Sequence, residues 1–397
     1  MPVTMEPTTI GLAQRMANLG TETAFEVLAR AKQLEREGRS IIHLEIGEPD
    51  FDTPSFIVEA GIKALRDGAT HYGPSAGLPE TREAIARFVN ETRGIDVTPE
   101  WVVVTPGAKP IMFFVIFALV DPDDEVIYPN PGFPIYESVI RFVRGRPVPI
   151  PLREENDFRL DVDELTRLVT DKTKLIILNS PQNPTGGVLT RSDLETVGRL
   201  AVERGIYVLT DEVYSEIVYD GKFESVIHSV PDVMKRGVLL DGMSKTFAMT
   251  GWRLGWGVMP PPLAAAVARL QTNSNSCTAS FSQKVIEPAL FGPRDEVKAM
   301  RDEFKRRRDA IVDGLNAIDG ITCRKPLGAF YVFPNITRLG MTAKVAEQRL
   351  LEEIGVAALA GTSFGVHGEG HLRFSYANSI ENIQEAVRRI ADWVSKL

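Results

Sequence analysis

The stretch "DGMSKTFAMTGWRLGW", Asp241 to Trp256, sets a single lysine, Lys245, among small and hydroxyl residues and follows it with a lone arginine, Arg253, between Trp252 and Leu254. Three readings compete for that lysine. A lysine in a polar turn is ordinarily a solvated charge. The triplet "SKT" resembles the end of the phosphate-binding G-x-x-x-x-G-K-[ST] loop, but Ser244 and Leu239 stand where its two glycines belong, so the backbone angles of that loop are out of reach at low cost. The third reading is a Schiff-base lysine, a nucleophile toward an aldehyde cofactor. It needs a buried setting, hydrogen-bonding neighbours and a phosphate site close by, and so makes demands on the rest of the chain.

Outward from this stretch, between about Trp101 and Met259, the apolar runs "WVVVTP", "EVIYP", "LIILNSP", "IYVLTDE" and "GVLLDGMS" each end in a turn or polar cluster and alternate with amphipathic segments. Strand, loop and helix in repetition predict an α/β fold, a mostly parallel sheet between helices, with functional groups at the carboxyl ends of the strands. From about Leu290 the pattern changes. In "DEVKAMRDEFKRRRDAIVDGLNAI" the residues Val297, Met300, Phe304, Ile311, Leu315 and Ile318 recur at helical spacing, so the basic run Lys305 to Arg308 reads as the wet face of a long helix. The strands "GAFYVFPNI" and "HLRFSYA" follow, which suggests a smaller α+β domain. The expected division is residues 1–50 as an N-terminal arm and part of the small domain, 51–290 as a large domain, and 291–397 as the small one.

With 397 residues the chain is long enough for two cores, and 53 acidic against 45 basic residues give a net charge of -8, which speaks against a nucleic-acid or anionic-membrane partner. The two cysteines, Cys277 and Cys323, lack metal-ligand spacing, so no metal is expected and the thiols read as reduced, in a cytoplasmic protein. The N-terminus lacks a basic start followed by an apolar core, and the run Ile111–Val120 is too short to cross a bilayer, so no membrane association is expected. That run reads as a buried helix.

Four strand ends carry residues of interest. After "WVVVTP" comes "GAKP", with Pro110 where a first helical turn tolerates a missing N–H, and a helix start there offers free donors to a phosphate. "LNSPQNPTGG" fixes the direction of Asn183 before Pro184, which serves a turn and a ligand equally well. Asp211 ends the strand of "IYVLTDEVY", with Tyr214 three residues on; a carboxylate there needs a cation, either a local side chain or a protonated pyridine nitrogen. In "HLRFSYA", alternation puts His371, Arg373 and Ser375 on one face.

Taken together, "VTPGAKP", "PGFPIYES", "SPQNPTGG", "DEVYSEIVYDG", "GMSKTFAMTGWRLGW", "LGAFYVFP" and "GHLRFSYA" occur in an order and spacing that resembles the class I aminotransferases, fold-type I pyridoxal-phosphate enzymes of the aspartate aminotransferase kind. The resemblance runs from "IGEPDFDTP" at Ile46 to "RFSYA". It implies a seven-stranded type of sheet in the large domain and the cofactor pyridoxal 5'-phosphate. Lys245 becomes the Schiff-base lysine and proton carrier, Asp211 the partner of the pyridine nitrogen, and Tyr214 and Asn183 the partners of the phenolic oxygen. Phe133 becomes the ring-stacking aromatic, and Arg253 the phosphate clamp with Gly107, Ala108, Lys109 and Ser244. Arg373, with Gly47 and Asn183, becomes the site for the substrate α-carboxylate. Tyr72, in "HYGPSAGLPE", is implied to reach the cofactor of a second subunit, giving a homodimer with shared active sites. Two positions depart from the family pattern: Gly242 replaces a phosphate-binding serine and Pro110 replaces a glutamine.

The function implied is an amino-acid aminotransferase moving the amino group of an aspartate-type, alanine-type or aromatic L-amino acid to a 2-oxo acid, 2-oxoglutarate by resemblance. Lys109 suits a distal carboxylate, whereas Ala24 and Phe25 look apolar, so the donor stays open. The alternatives are a carbon-sulfur β-lyase of the same fold and, more remotely, a non-enzymatic regulatory module.

Overall fold

The computed structural model describes residues 11–397. Its strands are β1 (Ile42–His43), β2 (Val102–Thr105), β3 (Glu125–Asn130), β4 (Arg146–Pro151), β5 (Thr173–Asn179), β6 (Tyr207–Asp211), β7 (Gly237–Gly242), β8 (Gly255–Val258), β9 (Tyr331–Val332), β10 (Val356–Ala357), β11 (Leu359–Ala360) and β12 (Leu372–Ser375). Seven of them form one sheet in the order β2-β8-β7-β6-β5-β3-β4. The pairings from β4 to β7 are parallel, and β8 runs antiparallel to both β2 and β7.

The central strands are near-continuous apolar runs because helices cover both faces. Alternation divides them cleanly: Ile176, Leu178, Val208 and Leu239 enter one apolar layer, and Leu175, Ile177, Leu209 and Leu240 the other. The run read as a buried helix is Lys109–Leu119, with Pro110 in its first turn and Ile111, Met112, Phe114, Val115 and Ile116 buried.

A separate apolar cluster joins Ile42 and Leu44 to Phe304, Ile311, Leu315, Leu372, Phe374 and Trp393. Around it the helix Asp295–Asn316 packs on the helix Ile380–Val394, β11, β12 and β9 form a small antiparallel sheet, and β1 pairs in parallel with β10. One expectation is corrected here. Lys305 and Arg306 are on the wet face of the long helix, but Arg307 and Arg308 are buried. Arg308 donates to Asp220 at 2.7 Å and to the Pro326 carbonyl at 3.0 Å, and Arg307 donates to Asp50 at 2.7 Å and lies over the Phe51 ring. Four consecutive residues sweep most of the way round a helix, so a run of like charges cannot all share one face; the inward pair is tolerated because carboxylates meet it.

Among the described residues no helix is long and apolar enough to cross a membrane, and Cys277 and Cys323 are unbonded.

Candidate active site

The carboxyl ends of adjacent strands bring the candidate residues together. Asn179 closes β5 and stands in register with Asp211, which closes β6. β7 runs on to Gly242 and directly into the single helical turn Met243–Thr246, which carries Ser244 and Lys245. A side chain at Gly242 would sit 2.9 Å from the Leu254 carbonyl, so the hydroxyl that the family pattern places there has no room. The chain then turns through Thr250–Trp252 to Arg253 and returns as β8.

Arg253 is pinned from two sides. Its Nη1 donates to the Thr250 carbonyl at 2.9 Å and its Nη2 to the Pro106 carbonyl at 3.2 Å. This lays the guanidinium over Gly107, where a Cβ would come within 2.2 Å of Nη2 and where φ is +89°. Glycine is required there on both counts. Immediately after it, Ala108 and Lys109 open the apolar helix, whose first N–H groups have no intrahelical partner. An arginine and a helix start therefore face one spot, a chemistry suited to a dianion.

Lys245 donates through Nζ to the Gly47 carbonyl at 2.6 Å and stands 5.7 Å from the Phe330 ring centroid. Burial pushes its amine down to about 8, with Arg373 and Arg253 adding to the fall and Glu48 and Glu22 opposing it. Asp211 accepts from the Tyr136 hydroxyl at 2.6 Å, yet burial outweighs that bond and pushes the carboxyl up to about 6. It is a carboxylate short of a cation. The Tyr214 and Tyr331 hydroxyls are 2.8 Å apart, and burial raises both phenols above their ordinary value.

Arg373 is 4 % exposed, so it belongs to the interior. It donates to Asn183 Oδ1 at 3.2 Å and to the Glu45 carbonyl, and its guanidinium lies between the Tyr331 and Phe364 rings, 4.6 and 4.9 Å from their centroids. Burial lowers its proton affinity, and its buried Nε has no partner, so a donor stands ready for an incoming carboxylate.

These groups surround a cavity of about 400 Å³. Gly47, Ala108, Lys109, Phe133, Asn183, Asp211, Tyr214, Ser244, Lys245, Arg253 and Arg373 all line it, and Gly107 lies behind Arg253. Tyr72 does not: it is 91 % exposed on the surface. Tyr331, which bonds Tyr214, and Tyr136, which orients Asp211, are site residues that the motifs alone do not single out. Both sit inside the quoted motifs "LGAFYVFP" and "PGFPIYES", but a tyrosine's hydroxyl partner is set by packing, which the motif does not record. Glu22 and Glu48 are not singled out either; they bond Lys109 and Thr250 respectively, from segments remote in sequence.

A buried amine of lowered basicity, a carboxylate lacking a cation, a dianion cradle and an arginine with a free donor fit one cofactor in particular, a phosphorylated pyridine aldehyde. Comparison with known proteins agrees. The family model described as aminotransferase class I and II matches residues 39–390. The chain belongs to that family. It is 41 % identical over 387 residues to a probable aspartate/prephenate aminotransferase of Aquifex aeolicus, covering 96 % of this chain and 98 % of that protein. To aromatic-amino-acid aminotransferase 2 of Thermococcus litoralis it is 41 % identical, covering 88 % and 90 %. Among solved structures, the aspartate aminotransferase of Thermus thermophilus with maleate superposes with a TM-score of 0.93 at 37 % identity, covering 97 % of this chain and all of that one. This chain is accordingly an amino-acid aminotransferase, and its cofactor is pyridoxal 5'-phosphate.

Proposed function

We propose that this aminotransferase takes the amino group from an aspartate-type, alanine-type or aromatic L-amino acid and delivers it to 2-oxoglutarate, both substrates using the one cavity in turn. The observation that carries the reading is the buried Lys245 amine, held near 8, in the same cavity as Asp211 and Arg373. When bound, pyridoxal phosphate supplies an aldehyde that accepts amines and a protonated ring that accepts the electrons left by a departing proton.

The rest falls to the chain. Lys245 would hold the cofactor's aldehyde carbon at rest and, once a substrate amine has displaced it, carry a proton to and from the substrate α-carbon. An amine whose basicity lies near the working pH serves as both acid and base. Asp211, oriented by Tyr136, would keep the ring nitrogen protonated. Tyr214 and Asn183 would hydrogen-bond the phenolic oxygen, and Phe133 would flank the ring. Arg253, Ser244 and the backbone of Gly107, Ala108 and Lys109 would hold the phosphate. Arg373 would take the substrate α-carboxylate in a two-point contact, next to Asn183 and the Gly47 backbone.

Tyr72 would complete the phosphate site of a second copy in a symmetric homodimer, a reading supported by its exposure and by its not lining its own cavity. The division at residues 51–290 and 291–397, with 1–50 shared between an arm and the smaller part, is likewise proposed. The separate apolar cluster around Phe304 and Trp393 supports it. Two unbonded cysteines favour a cytoplasmic setting.

The test is a screen of amino donors against 2-oxoglutarate, following glutamate formation. Transfer from at least one aspartate, alanine or aromatic donor is expected; absence of transfer from all of them contradicts the reading. For the shared site, mixing Lys245→Ala with Tyr72→Ala subunits should raise activity above either parent. Mere averaging in a mixed dimer removes Tyr72 from its role.

A further inference from the structure

Four cations line the cavity: Lys109, Lys245, Arg253 and Arg373. Under the proposed function three are engaged, by the cofactor aldehyde, the phosphate and the substrate α-carboxylate. Lys109 is left for the substrate side chain, but it is already occupied. Its ammonium is ion-paired with Glu22, which sits just before the helix Ala24–Arg36, and lies 5.2 Å from the Phe133 ring centroid. Glu48, the other glutamate of the lining, accepts from the Thr250 hydroxyl and is not the partner of Lys109. Around the pair the lining is apolar, from Ala24, Phe25 and Met112. The Lys109–Glu22 pair itself therefore carries no net charge before any substrate enters.

We propose that Glu22 determines side-chain specificity as an internal counter-carboxylate: it stays on Lys109 when the substrate side chain is uncharged, and is exchanged for the side-chain carboxylate when a dicarboxylic substrate enters. The proposal rests on the transaminase reading of the same site. An uncharged or aromatic side chain meets a closed ion pair and apolar walls, with no lone charge to desolvate. An acidic side chain has to compete with Glu22 for one ammonium. The competition is winnable because the pair is partly exposed, Lys109 at 45 % and Glu22 at 23 % of their side chains, and pairs of that kind are weak. Exchange conserves charge pairing: one carboxylate leaves the lysine for water and another takes its place. A cavity arranged this way accepts a neutral donor and a dicarboxylic acceptor in turn.

The experiment uses the cofactor-loaded protein and two unreactive probes, succinate and 3-phenylpropionate, with binding measured by calorimetry. Glu22→Gln removes the competitor, so succinate should bind about 3–5-fold more tightly, and 3-phenylpropionate should change less than about 1.5-fold. In the double variant Glu22→Gln with Lys109→Met, the succinate gain should vanish. Kinetics should show KM falling for dicarboxylic substrates with kcat held. Succinate binding that is unchanged or weaker in Glu22→Gln overturns the proposal, as does an equal change for both probes or a gain that survives loss of Lys109. Amino transfer with no succinate gain sinks this inference alone. A succinate gain without any amino transfer sinks the functional reading and leaves the exchange standing.

Discussion

Ion pairs occur on the sheet's far side from Asp211 and at the cavity rim, and the two sets differ in almost every physical respect. On the far side, Arg93 ends the helix Pro79–Arg93 and reaches Glu212 at 2.9 Å and Asp241 at 3.6 Å, with Phe223 against its guanidinium. Alternation along β6 sends Glu212 to the face opposite Asp211, and Asp241 on β7 faces the same way as Glu212. Arg93 and Asp241 are 7 % exposed and Glu212 is sealed. At the rim, Lys109 and Glu22 are partly in water, at 45 % and 23 % of their side chains, and come from segments 87 residues apart. A buried charge is locked because every alternative leaves it unpaired, whereas a half-wet one has water as its alternative partner. The strand ends that aim Asp211 and Lys245 are thus fixed by the first set, and the second is free to exchange.

This contrast makes a graded set of expectations. Arg93→Met leaves two buried carboxylates without their cation and should lower unfolding free energy by about 3–5 kcal/mol, read from denaturant titration. Adding Glu212→Gln should recover part of that loss; no recovery, or a small initial loss, erases the distinction between the two sets. Under the proposed role of Asp211, Asp211→Asn should still bind cofactor but turn over about 100-fold more slowly or worse, because the ring nitrogen would lose the charge that keeps it protonated. Turnover near the parent level takes Asp211 out of the chemistry.

His43 lies between the extremes, 29 % exposed and hydrogen-bonded at 2.8 Å to the sealed Glu45, whose carbonyl holds Arg373. The Glu45 hydrogen bond pushes His43 up to about 9 from its ordinary 6.5, burial opposing and Glu35 assisting. A raised value means stabilisation that is complete below the unfolded value and lost as pH rises through the folded one. Stability should therefore decline between pH 6.5 and 9, with a much shallower decline in His43→Gln; parallel curves for the two proteins contradict this. The smallest effect belongs to the rim: Glu22→Gln should change unfolding free energy by less than about 1 kcal/mol. A loss comparable to that of Arg93→Met collapses the comparison.

How much of this was legible beforehand follows the same division. The strands and their functional ends were readable because buried parallel strands are apolar runs that stop abruptly, and Asp211, Asn183 and Lys245 sit at or just beyond such stops. Gly107 was readable as part of a helix start and, by resemblance, of the phosphate clamp; its need for a bare α-carbon under Arg253 depends on a contact across 146 residues. The burial of Arg307 and Arg308 was misread, since two of the acids that meet them, Asp50 and Asp220, come from distant segments, beside the local Glu303 and Asp309. Tyr331, Tyr136 and Glu22 went unseen for the same reason. Periodicity reports which face is apolar, and nothing in it reports which polar groups from elsewhere will close on that face.

The central claim is that Lys245, and no other lysine, is the amine that holds the cofactor's aldehyde. Loading the protein with pyridoxal phosphate, reducing with borohydride, digesting and mapping the fixed label by mass spectrometry tests this directly. A yellow protein that bleaches on reduction and a single labelled peptide containing Lys245 are expected. A label on any other lysine, or no chromophore at all, would contradict the claim.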